Sequence, residues 1–234
     1  MGYVIWKGKG FDGKPVALYL AAVDRPSSNR KTGRMIQTMI LRTKVRPSDA
    51  VVRGDDKAIC GDCALRAGQG CYVQVGRSVH AAWATTSQEV VDIADVPLPP
   101  NPTIRIGSYG DPAVVPVSIW KRLLKLAVGW TGYTHAWRTA SRAYAKLVMA
   151  SVESTEDRLA AKAKGYRTFR VMPPGGQLEA GEILCPASAE AGHRTTCERC
   201  LLCNGSRGPG DKRKDIAVVA HGPTAKRVFS AREH

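Results

Sequence analysis

The sequence predicts an α/β fold, either an incomplete parallel barrel or a doubly wound, mostly parallel sheet. Three observations carry that prediction. Apolar runs of strand length alternate with polar, helix-patterned segments along the 234 residues. Helix start and stop signals stand between two of those runs. A hydrophobic fraction of 44% is enough to fill one core of this size. The chain therefore reads as a single α/β domain, 1–234, carrying two Cys-rich loops, 60–80 and 185–205, the second inserted before the last strand.

The elements follow in order. VALYLAAVD, 16–24, reads as a strand or the inner part of a hairpin, and MIQTMILRT, 35–43, as a second apolar run. The first cysteine loop comes next, then YVQVG and the segment SVHAAWATTSQEVVDIADV. Proline-rich VPLPPNP, 96–102, is a break. TIRIGSYGDP, 103–112, is β-rich and ends in a glycine turn, while 115–130 has apolar positions at helical spacing with basic residues on the other face. TGYTHAW reads as a short strand end and AYAKLVMASV, 143–152, as a buried strand. STEDRLAAKAKG is a capped helix, with Ser154 or Thr155 at the N-cap, acids in the first turn, lysine in the last and Gly165 as the stop. YRTFRVMPP, 166–174, and DIAVVAHG, 215–222, are the last strands. This rhythm implies about five parallel βαβ units, fewer than an eightfold barrel needs. In either architecture the ligand site lies beyond the carboxyl ends of the strands.

Those ends carry polar residues that a core does not need. Tyr109, Asp111, His135 and His221 are candidates for acid–base chemistry. Ser108, Ser151 and Glu153 are candidates for holding a cofactor. Tyr133, Trp137 and Arg138, in GYTHAWR, combine aromatic rings with a cation, the composition that stacks bases and holds phosphate. Each has a structural reading too. Asp111 before Pro112 caps the next helix, His135 is a half-buried residue between aromatics, His221 is a turn residue, and the rings pack in the core.

All seven cysteines fall in the two loops. Cys60, Cys63 and Cys71 form Cys-x2-Cys-x7-Cys; Cys185, Cys197, Cys200 and Cys203 end in Cys-x2-Cys-x2-Cys. The opening MGYVIWKGKGF lacks the apolar stretch of a secretory signal, and no apolar run reaches the roughly 18 residues that span a bilayer. The expected location is the cytoplasm, where thiols stay reduced and clustered cysteines bind metal rather than form disulfides. The first group supplies three ligands, with His80 as the candidate for a fourth; zinc and an iron–sulfur cluster with one open iron both fit. The second supplies four thiolates, a complete set, with iron–sulfur spacing that zinc also tolerates. Finally, 35 Lys and Arg against 20 Asp and Glu give a net charge of +15, which points to nucleic acid as partner. Twelve of the basic residues lie in 1–59 and seven in 204–234, so both ends of the chain are electropositive.

The motifs CYV after the first loop, RIGSYGDP, GYTHAWR, AKLVMASVES to GYRTFRV, and CPAS…TTCERCLLC resemble a family of uncharacterised proteins carried by bacteriophages and plasmids, over roughly residues 50–222. More distantly, a cysteine loop near the start of a partial α/β barrel, with Tyr72 after Cys71, resembles the radical-SAM superfamily. That resemblance implies a 4Fe–4S cluster on Cys60, Cys63 and Cys71, S-adenosylmethionine at the open iron, and an auxiliary cluster on Cys185, Cys197, Cys200 and Cys203. The superfamily's usual spacing is Cys-x3-Cys-x2-Cys, and this chain departs from it. A looser likeness is to tRNA-guanine transglycosylases, barrels with a zinc-binding cysteine group, whose aspartate would fall on Asp111. The expected function is a metal-cluster protein acting on nucleic acid or a nucleotide, of the radical-SAM type. The alternatives are a zinc-stabilised nucleic-acid-binding protein without catalysis, and an acid–base enzyme with structural metals.

Overall fold

The computed structural model describes residues 2–24, 27, 29–66, 70–71 and 73–220. Among these residues nine strands form one sheet in the order β1-β2-β3-β4-β5-β6-β7-β9-β8. β1 (Tyr3–Lys9), β2 (Pro15–Ala21) and β3 (Ile36–Arg42) are antiparallel neighbours. From β3 onward every pairing is parallel, through β4 (Thr103–Tyr109), β5 (Gly129–Thr134), β6 (Met149–Val152), β7 (Thr168–Met172) and β9 (Asp215–Val219) to β8 (Glu182–Leu184) at the edge. The order runs one way from β3 to β7, without the reversal that a doubly wound sheet requires. The sheet is open, with β1 and β8 as its edges rather than partners of each other.

Among the described residues six short α-helices fill the connections: α1 (Pro47–Arg53), α2 (Lys57–Cys60), α3 (His80–Trp83), α4 (Val117–Leu124), α5 (Thr155–Ala163) and α6 (Cys197–Cys200). The helix expected over 115–130 ends at Leu124, because Gly129 already begins β5. The 143–152 strand is half as long as its apolar run suggests: Arg142–Lys146 form a 3-10 turn that buries Tyr144, and only Met149–Val152 pair in the sheet. Residues 73 and 74 lie outside the strands, and residues 75–79 wind into a helical turn. β1 and β8 carried no strand signal, since glycines and lysines break β1 and β8 has three residues.

Side chains alternate across the sheet with period two. Ile104, Ile106, Ala150 and Val152 join Trp120 and Leu123 of α4 in one cluster. Residues of opposite parity, including Tyr133, Met149, Phe169 and Val171, join Cys185, Cys197 and Cys203 in another. The cysteine face and the α4 face are thus two layers on one sheet.

α5 follows its signals: Ser154 is the N-cap, its hydroxyl accepting from the Asp157 N–H at 3.1 Å. Yet Arg158, in the middle of that polar helix, is buried. It reaches Asp215 at 3.3 Å, Glu179 at 3.2 Å and Glu182 at 3.3 Å. Arg170 forks onto Glu182 at 2.9 and 2.6 Å, and the Asp215 carboxylate accepts the Thr168 N–H at 3.0 Å. This network ties α5, β7 and β9 to the edge strand β8.

Burial alone would raise the Glu182 carboxyl, but the Arg170 fork, the Glu179 N–H and the Arg158 charge together outweigh it and hold the group below the usual range. A depressed carboxyl contributes stability above its unfolded value of about 4.3 and loses it as pH falls through the folded value. Glu182→Gln is therefore expected to destabilise the protein by about 3 kcal/mol at neutral pH and to flatten the acid limb of stability, read by urea unfolding between pH 3 and 7. Ser154→Ala is expected to cost about 1 kcal/mol in the same assay.

Candidate functional site

A cavity of about 310 Å³ opens beyond the carboxyl ends of the parallel strands. Cys60, Cys63 and Cys71 line it together with Tyr109, Asp111 and His135. All three cysteines come from the connection that follows β3, the first strand of the parallel run.

Asp111 holds this arrangement together. It is 6% exposed, and its N–H donates to the Ile59 carbonyl at 2.6 Å, one residue before Cys60. One carboxylate oxygen accepts from the Ala113 N–H at 2.9 Å and the Thr134 hydroxyl at 2.7 Å; the other accepts from the N–H groups of His135 at 2.7 Å and Ala136 at 3.2 Å. The cap expected before Pro112 is there, and the same carboxylate also seizes the end of β5. With four donors on two oxygens, Asp111 is a positioning group rather than a free base. Gly110, just before it, has φ +79, and a Cβ there would lie 2.8 Å from the Ile40 Cβ.

His135 Nε2 lies 3.2 Å from the Glu153 carboxylate at the end of β6, and its ring is near enough to Cys63 to interact with it. Burial works against the imidazolium, but Cys63 and Glu153 outweigh it and raise the His135 pKa above its ordinary value. Burial, aided by neighbouring thiols, pushes Cys60 up, and burial raises Cys71 as well. Tyr109 is 5% exposed beside Cys60 and Cys71, and its hydroxyl has no hydrogen-bond partner; burial first, then the thiols, raises its pKa.

The second cysteine group packs on the same face of the sheet, where Cys185, Cys197, Cys200 and Cys203 surround a small pocket beside Thr131. Gly132 N–H donates to the Cys203 carbonyl at 2.8 Å. Burial pushes the Cys203 thiol up to about 12, although the nearby Tyr133 hydroxyl works the other way. The Tyr133 ring also lines the large cavity, so one side chain touches both regions. Among the described residues, no three His, Cys, Asp or Glu side chains converge on a point from which they would hold a single metal ion.

The remaining expected residues scatter. Ser151 lines the cavity, and its carbonyl accepts from the Trp137 indole at 3.1 Å. Ser108 lines it too, its hydroxyl donating to Gln37 at 2.7 Å. His80 does not join the cysteines: its ring packs against Trp83, 5.6 Å between centroids, outside the cavity wall. The histidine at Cys63 is His135, brought there by β5 rather than by chain proximity. Trp137 is 2% exposed and belongs to the core, and Tyr133 packs on Phe169, 4.1 Å between centroids, so of the two rings expected to stack only Tyr133 reaches the cavity. Arg138 covers the Trp137 ring at 4.2 Å and pairs with Asp157. His221 lies outside the described residues. Sequence reasoning missed Lys31, Arg105 and Phe169 in the cavity wall. Alternation along β4 and β7 could have flagged Arg105 and Phe169; nothing local marks Lys31. No helix among the described residues is long and apolar enough to cross a membrane.

Asp111→Asn places an NH₂ against N–H donors. It is expected to lower stability by about 3 kcal/mol and to loosen the Cys60 loop, read by the urea midpoint and by faster alkylation of Cys60. Comparison with known proteins adds no name to this geometry: no family model, no curated protein and no solved structure matches the chain.

Proposed function

We propose that the protein is an iron–sulfur enzyme of the radical-SAM type that acts on a nucleotide or nucleic acid. The observation that carries this reading is the meeting of Cys60, Cys63 and Cys71 at the wall of one cavity beyond the parallel strand ends. The cysteine loop follows the first parallel strand, and the sequential strand order suits an incomplete barrel. The residues fit a cluster on two counts. The Cys60 thiol is within electrostatic reach of both Cys63 and Cys71 at one cavity wall, three thiols of the kind that hold a cluster. Tyr109 turns an unpartnered buried hydroxyl toward them, a donor for a cluster sulfur or its ligand. A cluster with one open iron, when bound, supplies an electron for reductive cleavage of S-adenosylmethionine. The chain's own residues do the rest: Asp111 fixes the loop against β5, Glu153 orients His135, and the strand-end groups enclose the ligand. The net charge of +15 supports an anionic substrate.

One observation favours a second reading. A histidine near a cysteine thiol, with a ring nitrogen on a carboxylate, resembles the outer-shell arrangement of zinc sites. That version is a zinc-stabilised nucleic-acid-binding protein.

Anaerobic purification separates the two. Roughly eight iron and eight sulfide per chain, falling by about half in Cys60→Ser, together with cleavage of S-adenosylmethionine, are the expected results. Stoichiometric zinc without sulfide sinks the radical-enzyme reading.

A further inference from the structure

The second cysteine loop does more than gather its own thiols. Its α6 end grips the connection between β2 and β3: the Cys197 N–H donates to the Lys31 carbonyl at 2.8 Å, and the Glu198 carboxylate accepts the Arg34 N–H at 2.9 Å. Gly33 between them has φ +65, and a Cβ there would sit 2.5 Å from the Glu198 carboxylate oxygen. The gripped segment is itself a tight turn, with the Lys31 N–H donating to the Asn29 side chain at 3.0 Å and the Thr32 hydroxyl to the Asn29 carbonyl at 2.9 Å. Asn29, Lys31 and Thr32 then form part of the wall of the large cavity.

Arg105, from β4, lines the same cavity, with its guanidinium 5.5 Å from the centre of the Tyr133 ring. Arg105 and Lys31 thus both line one cavity of about 310 Å³. Next to them the wall is apolar and aromatic, with Tyr133 against Phe169 and then Val171 and Val218. An apolar, aromatic wall beside two cations is complementary to a planar ring that carries an anion a few atoms away.

We propose that Lys31 and Arg105 form a subsite for the phosphate of a nucleotide whose base lies against Tyr133 and Phe169, and that the Cys197–Glu198 grip holds this subsite in place. The proposal rests on the nucleotide reading above and adds the residues that recognise the anion. It also gives the second cysteine group a role in ligand binding. Whatever metal orders that loop fixes Lys31, and ligand in the cavity must in turn favour the ordered loop.

The test is equilibrium dialysis of the anaerobically purified full-length protein, at low salt, against AMP, adenosine and a 5′-phosphorylated trinucleotide. AMP should bind about tenfold more tightly than adenosine, the ratio expected when one charge-assisted contact is gained. Lys31→Ala should bring the two within about twofold, Lys31→Arg should keep the preference, and Glu198→Ala should weaken AMP while sparing adenosine. A trinucleotide that binds like AMP identifies a strand end as the source of the phosphate; one that does not bind identifies a free nucleotide, and either supports the subsite. Equal affinity for AMP and adenosine, a preference that survives Lys31→Ala, or no binding of any probe overturns it. Iron and sulfide measured on the same samples keep the two proposals apart. A preference for AMP without iron leaves the subsite and removes the radical chemistry; iron without a preference does the reverse.

Discussion

The buried carboxylate of Asp111 is the contact on which the rest of the site depends. It joins three pieces of chain that are far apart in sequence. The residue's own N–H reaches Ile59, and its two oxygens take four donors from the turn after β4 and the end of β5. A buried carboxylate is stable only when its lone pairs are filled, so the turn at Pro112, the end of β5 and the loop leading to Cys60 are constrained together. Without that constraint the cysteines of the first loop and His135 have no reason to face the same cavity.

The second constraint is the pleat of the sheet. Because side chains alternate, Arg105, Tyr133 and Phe169 share the face on which the second cysteine group packs. Two regions that are separate in sequence become neighbours across single side chains. Tyr133 links them directly, with its hydroxyl at Cys203 and its ring in the cavity. Lys31 links them through the backbone. The charges are arranged accordingly: Cys185, Cys197 and Cys203 are buried, and the cations Arg105 and Lys31 line the cavity. Away from the cavity, the ion network of Arg158, Arg170, Glu182 and Asp215 fastens the edge strand to the same sheet.

Several elements were legible from local signals. Ser154, two acids and Gly165 mark α5 because capping is settled within one turn of chain. The apolar runs at 35–43, 166–174 and 215–222 became β3, β7 and β9 because buried parallel strands need continuous apolar sequence. β1 and β8 were not legible. Their residues are ordinary, and they pair only because a neighbouring strand presents an open edge. The length of β6 was misread for the reverse reason: Tyr144 is apolar and buried, but in a 3-10 turn rather than in the sheet.

By itself the sequence determined which residue types were available: seven thiols in two loops, a basic surface, and polar groups at strand ends. Spacing along the chain also determined which thiols could act together, since neighbours within a loop share its geometry. Only the tertiary structure decided which histidine meets them. His80 is nearest in sequence but packs on Trp83, whereas His135 arrives on β5, 64 positions past Cys71. It likewise turned Trp137 into a core residue and Lys31 into part of a cavity wall. The reason is physical: a side chain's role depends on what packs against it, and parallel strands bring together residues that no local pattern connects.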